Sequence, residues 1–124
     1  MMIDSAGSAS LEIDVSRTDT ATVLTVRGEI DLGTAPHLNE SIDAVLAEAT
    51  PAVLIVDLTG VIFFASVGMT VLLDAAARLG DAATFAVVAD GPTTARPMTL
   101  VGLDQTLAMF TDLDTALAVV TGPS

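Results

Sequence analysis

Residues 11–15 alternate apolar and polar side chains, the period-two mark of a half-buried strand. Residues 22–27 repeat it, with Leu24 and Val26 on one face and Gly28 at the end, and the turn-prone segment 16–19 lets the two strands pair. From Pro36 the period lengthens: Leu38, Ile42, Val45 and Ala49 recur at i, i+4, i+7 and i+11, one face of a helix. Thr34 is its expected cap, Pro36 suits its first turn, and Pro51 ends it. Residues 52–58 (AVLIVDL) are almost wholly apolar, as in a strand covered on both faces. A second helix is expected after Ser66, with Met69, Leu72, Ala76 and Leu79 inward, an Asp74–Arg78 pair at i,i+4, and Gly80 as its stop. Residues 84–88 read as another buried strand, 93–101 as a helix that restarts near Pro97 and closes at Gly102, and 107–110 as a short last strand. Thr111 with Asp114 has the spacing of a capping box for a final helix through Val120, with Leu113, Leu117 and Val120 inward. Residues 1–10 are small and polar and are expected to form a flexible tail.

The order β-β-α-β-α-β-α-β-α implies right-handed crossovers and an α/β fold: a mainly parallel, mixed sheet of about five strands with about four helices. The first strand joins antiparallel. At 124 residues the chain fits one domain, spanning 11–120, with no internal repeat or linker.

Composition narrows the function. Sixteen acidic residues face four arginines, with no lysine, for a formal net charge of −12. Such a charge repels nucleic-acid phosphates and anionic membrane surfaces, so neither is an expected partner. A basic groove on another protein is a better one, although acidity also simply keeps proteins in solution. The absence of cysteine excludes disulfides, thiolate metal sites and cysteine nucleophiles. The chain starts without a signal-peptide pattern, and its most apolar stretch, residues 58–73, falls short of the ~20 residues that span a bilayer. A cytoplasmic protein is expected.

In parallel sheets function gathers where strand carboxyl ends meet helix N-termini. Four segments lie there: residues 28–33, Asp57, the Ala65-Ser66-Val67-Gly68 turn, and Asp90-Gly91. Enzyme readings fail quickly, and no cofactor or metal is expected. His37, the single histidine, reads as a first-turn surface residue, and it has no second histidine or cysteine to share a zinc ion. There is no Gly-Lys pair for a phosphate-binding loop. Asp57 at the end of a buried strand resembles the phosphorylated aspartate of a response-regulator receiver, but a receiver also needs a late lysine and this chain has none.

Ser66 stands out. At a helix start it reads first as an N-cap whose hydroxyl accepts from the N–H of Gly68 or Met69, worth about 1 kcal/mol. Its neighbours Phe63, Phe64, Ala65, Val67 and Met69 form an apolar collar, however, which around one hydroxyl suits a protein interface with a switch at its centre. A phosphate there adds about −1.5 to −2 charges.

Three stretches carry a resemblance: Gly28-Glu29-Ile30-Asp31, then residues 53–61 (VLIVDLTGV), then Phe64-Ala65-Ser66-Val67-Gly68-Met69. Together and in this order they resemble the STAS domain of bacterial anti-sigma factor antagonists, and the element order matches from about Leu11 to Val120. The resemblance implies a partner that is both an anti-sigma factor and a serine kinase. It implies phosphorylation of Ser66 by that kinase, and a serine phosphatase that reverses it. The unphosphorylated form would sequester the kinase and free a sigma factor in a stress response. Ala65 stands where the family usually has aspartate, and Val67 where it has a second serine or threonine, leaving Ser66 the only hydroxyl of the motif. A constitutively binding variant is the alternative that these departures raise.

The expected function is therefore a non-enzymatic binding module acting in partner switching. Ser66 is the switch, and Ala65, Val67, Gly68, Met69 and Thr70 form the partner surface. Asp31 and Asp57 shape the neighbouring edge, with a turn or capping role as the equal alternative for each. The rival readings are a structural subunit of a stress-sensing assembly and a small-ligand sensor with the collar as its pocket.

Overall fold

The computed structural model describes residues 11–121, so the expected tail, residues 1–10, lies outside the described residues. Two strands, β1 (Leu11–Arg17) and β2 (Ala21–Ile30), form an antiparallel hairpin with Leu11 opposite Gly28 and Arg17 opposite Thr22. Thr18 organises its turn: its N–H donates to the Ala21 carbonyl (2.8 Å) and its hydroxyl accepts from the Ala21 N–H (3.1 Å). Helix α1 (Ala35–Glu48) then leads to β3 (Val53–Phe64), α2 (Ser66–Leu79) to β4 (Thr84–Val88), and α3 (Ala95–Leu100) with a short 3₁₀ turn (Leu103–Gln105) to β5 (Ala108–Phe110). Helix α4 (Leu113–Thr121) is the last described element.

The sheet order is β1-β2-β3-β4-β5, parallel from β2 onward. Each crossover advances one strand, so a constant hand stacks α1, α2 and α3 on one face. Their core joins Leu24, Val26, Leu54, Val56 and Val87 to Leu38, Ile42, Leu72 and Met98. The opposite face, with Val23, Ile55, Ala86 and Val88, is covered by Ala116, Leu113 and Leu117 of α4. Because β3 is covered on both sides, every residue from Val53 to Leu58 is buried, which is why that stretch reads as an unbroken apolar run.

The mixed α/β fold is as expected, but β2 and β3 run further than their sequence suggests. β2 does not stop at Gly28 and β3 does not stop at Leu58; they continue together until Ile30 pairs with Phe64. Two bulges hide the continuation. β3 places both Leu58 and Thr59 opposite Val26, and it inserts Ile62 between the positions facing Gly28 and Glu29. Gly28 sits at φ +111°, a conformation that few residues besides glycine adopt. Gly60 lies so close to β2 that a Cβ there would stand 2.7 Å from Arg27 Cγ. Asp57 is thus buried inside β3 and not at its end, and its Oδ1 accepts from the Thr59 N–H (3.0 Å) and hydroxyl (2.8 Å).

Smaller differences follow from local chemistry. The inward face of α2 is Gly68, Val71, Leu72, Ala75 and Leu79, a rotation that leaves Met69 and Ala76 half-buried. Ala49 lies beyond the end of α1 and is exposed. Arg78 bonds Asp43 of α1 at 2.6 Å more tightly than Asp74 at 3.9 Å. The last helix starts one residue later than a Thr111–Asp114 box requires. Asp112 is the cap, accepting from the Thr115 N–H (2.7 Å) and hydroxyl (2.9 Å), bonds that hold its carboxyl below the usual range.

The bulge role of Asp57 gives a direct expectation. Asp57→Ala strips the Thr59 N–H of its partner inside the sheet and lowers unfolding free energy by about 1–3 kcal/mol. Urea denaturation should show a reduced midpoint with circular dichroism of the folded state unchanged.

Candidate functional site

The paired ends of β2 and β3 put two turns side by side. The Ala65 N–H donates to the Ile30 carbonyl (2.8 Å), extending the ladder by one bond before the chain enters α2. On the β2 side, residues 31–34 turn into α1. Asp31 Oδ1 accepts from the Gly33 N–H (2.9 Å) and the Thr34 N–H (3.0 Å). The Thr34 hydroxyl accepts from the Asp31 N–H (2.9 Å) and donates to the Glu29 carbonyl (2.7 Å). Thr34 occupies the N-cap position, as expected, but its side chain bonds backward into the turn and not onto the helix. Asp31 therefore braces the turn that stands beside Ala65.

Ser66 is exposed, but it is the first residue of α2 and not its cap. The cap position belongs to Ala65, whose backbone is extended (φ −82°, ψ 161°) and whose carbonyl accepts from the Gly68 N–H (2.9 Å). A methyl side chain offers no acceptor, so no side chain caps this helix start. The expected bond from Ser66 to the N–H of Gly68 or Met69 is absent because that register needs the hydroxyl one residue earlier. Ser66 is instead an exposed residue at the positive end of a helix.

The remaining candidates fall into distinct roles. Gly68 is buried where α2 touches the strand arm; a Cβ there would come within 2.5 Å of Phe64 Cε1 and 2.9 Å of Ile30 Cγ2. Met69 is half-buried against the core, while Thr70 is exposed one turn beyond Ser66. Val67 packs partly on the core and partly lines a surface groove of about 500 Å³ between the first turns of α1 and α2, shared with Leu32, Pro36 and Thr70. Asp57 is not brought to Ser66. It lies between Thr25 and Val88 in the middle of the sheet, where it braces the bulge.

The expected apolar collar divides between core and surface. Phe64, Val67 and Met69 belong largely to the core, and Phe63 is 52% exposed. Two further large apolar residues that periodicity passes over are exposed: Leu32, 81% exposed in the turn before α1 and lining the groove with Val67, and Ile62, 71% exposed in the second bulge. The signal for Leu32 lies in its setting, a large apolar residue inside an Asp-x-Gly-Thr turn with no strand or helix period to place it inward. A second groove of about 490 Å³ follows Asp90-Gly91, lined by Gly91, Pro92, Ala95, Arg96, Thr99 and Leu100. Among the described residues no three histidine, aspartate or glutamate side chains gather as a metal site, and no helix is long and apolar enough to cross a membrane.

Comparison with known proteins fits this geometry. The family model described as the STAS domain matches residues 12–116. The anti-sigma-F factor antagonist RsfB of Mycobacterium tuberculosis is 41% identical over 113 residues, covering 91% of this chain and 92% of the relative. The crystal structure of an anti-sigma factor antagonist from Mycobacterium paratuberculosis superposes with a TM-score of 0.86 at 43% identity, covering 90% of this chain and 95% of that one. Unphosphorylated SpoIIAA, an anti-sigma factor antagonist, shares the fold with a TM-score of 0.73 at 18% identity, over 91% of this chain and 99% of its own.

Two substitutions probe the helix start. Ala65→Asp supplies the missing acceptor and should stabilise the protein by about 1 kcal/mol, raising Tm by roughly 3–6 °C. Gly68→Val overfills the contact with Phe64 and Ile30 and should cost about 1–3 kcal/mol, lowering Tm in the same calorimetric scan.

Proposed function

The chain belongs to the STAS domain family, and from that premise we propose that it is an anti-sigma factor antagonist switched by phosphorylation of Ser66. In this reading it is a cytoplasmic binding module and not a catalyst. Its partner is an anti-sigma factor with serine-kinase activity, and a serine phosphatase resets it. The observation that carries the reading is an exposed serine at the first position of a helix, three residues after the exposed Phe63 and followed by Val67, which shares a groove with the exposed Leu32.

The physics of the switch is asymmetric. A phosphate at Ser66 sits at the N-terminus of α2, where the backbone N–H groups and helix dipole favour an anion by about 0.3–1 kcal/mol. The fold therefore tolerates it. A partner packed over the same surface would bury a charge with no local cation, at a cost of several kcal/mol. Each 1.4 kcal/mol is a tenfold loss of affinity, so one phosphate suffices to release the complex.

Phosphoryl transfer forms a bond from Ser66 Oγ to the γ-phosphorus of ATP and releases ADP, with the hydroxyl proton leaving to a base. Ala65 supplies no carboxylate for that proton or for orienting the hydroxyl, and Asp31 Oδ1 is occupied by its own turn. The kinase must then bring its own base, and slow phosphorylation follows. The same observation supports a second reading, an antagonist that binds constitutively.

Intact-mass spectrometry of wild-type and Ser66→Ala protein, after incubation with ATP and each kinase-type anti-sigma factor of its genome, separates these. One added phosphate on the wild type and none on the variant is the expected result. Stable complex formation with no phosphate selects constitutive binding, and neither phosphate nor binding overturns both readings.

A further inference from the structure

The groove between α1 and α2 has properties that the switch alone does not require. Leu32, Pro36 and Val67 make it apolar, Thr70 and Asn39 edge it, and Asp74 closes its far end. Among the described residues Leu32 is the most exposed of the large apolar side chains, yet it sits in a turn tied by five side-chain hydrogen bonds of Asp31 and Thr34. A side chain held in water by a rigid turn loses little freedom when covered, so its burial is favourable. Asp74 is more than half exposed, and its nearest cation, Arg78, is bound more closely by Asp43. Its carboxylate is thus open to an outside cation. Asp74 lies eight residues beyond Ser66, about 12 Å along the axis of α2.

Charge decides what fills the groove. A second copy brings another −12 and no lysine, and Arg17, Arg27 and Arg78 each already lie within 4 Å of a carboxylate, leaving Arg96 as the one arginine without such a partner among the described residues. Resting on the reading above, we infer that the groove receives a helix of the anti-sigma factor carrying an apolar anchor followed by a lysine or arginine. The anchor covers Leu32, Pro36 and Val67, and the cation meets Asp74. The helix then reaches Ser66 at its other end, where a phosphate strikes it. The groove sets which anti-sigma factor is bound, and Ser66 sets when.

Titration calorimetry tests this with wild type, Leu32→Asp, Asp74→Lys and Ser66→Glu against each kinase-type anti-sigma factor of the chain's own genome. Both groove positions are exposed, so the melting temperatures of their variants should match the wild type. Leu32→Asp should weaken binding tenfold or more, about 1.4 kcal/mol or more. Asp74→Lys should weaken it at least fivefold and flatten its salt dependence, as expected when an intermolecular attraction is removed. Wild-type affinity in both variants, with Ser66→Glu still impaired, overturns the groove and leaves the antagonist reading standing. Loss of self-association in light scattering, with anti-sigma binding intact, identifies a second copy as the occupant and also overturns it. No binding by the wild type overturns both.

Discussion

Everything at the site depends on how closely the first turn of α2 approaches the β2–β3 arm. Gly68 makes the approach possible, because any side chain there would collide with Phe64 and Ile30. The ladder bond from Ala65 to Ile30 then locks the entry of the helix to the exit of β2. Through that one contact the two turns are held side by side, and the exposed Ser66, the rigid Asp31 turn and the apolar groove become one surface. A bulkier residue would push the helix off the arm and separate them.

The arm is an extension that the helical layer does not fully cover. β4 pairs with β3 only as far as Asp57, so the last residues of β3 lean on β2 alone. This geometry explains why Ile62 and Phe63 stand exposed. It also separates duties cleanly: Asp57 and Gly60 keep the arm in register, Gly68 and Ile30 seat the helix, and Ser66, Thr70 and Leu32 face outward. Strong net acidity then favours a basic partner over self-association.

Much of this was legible in the chain, for physical reasons. Period 3.6 marked α1 and α2 because their inner faces are continuous, and the run through Val53–Leu58 marked a central strand because both its faces are covered. What stayed hidden was backbone irregularity. Thr59 and Gly60 look like a strand end, and only the bulge, bridged by Asp57, lets β3 continue. Ser66 looks like a cap because capping residues usually have oxygen side chains, whereas here Ala65 takes the position without one. The same logic shifted the last cap from Thr111 to Asp112. Leu32 escaped because turns are read as polar, and its exposure is a property of the assembled surface.

The central claim is that a phosphate at Ser66 breaks the complex and spares the fold. The most direct measurement installs phosphoserine at position 66 by genetic encoding and records, on one homogeneous sample, the melting temperature and the affinity for the anti-sigma factor. The account predicts a melting temperature within about 2 °C of the unmodified protein, since the helix N-terminus accommodates the anion. It predicts an affinity at least about 100-fold weaker, near 2.7 kcal/mol. Retained affinity, or a collapse of the melting temperature, would contradict it.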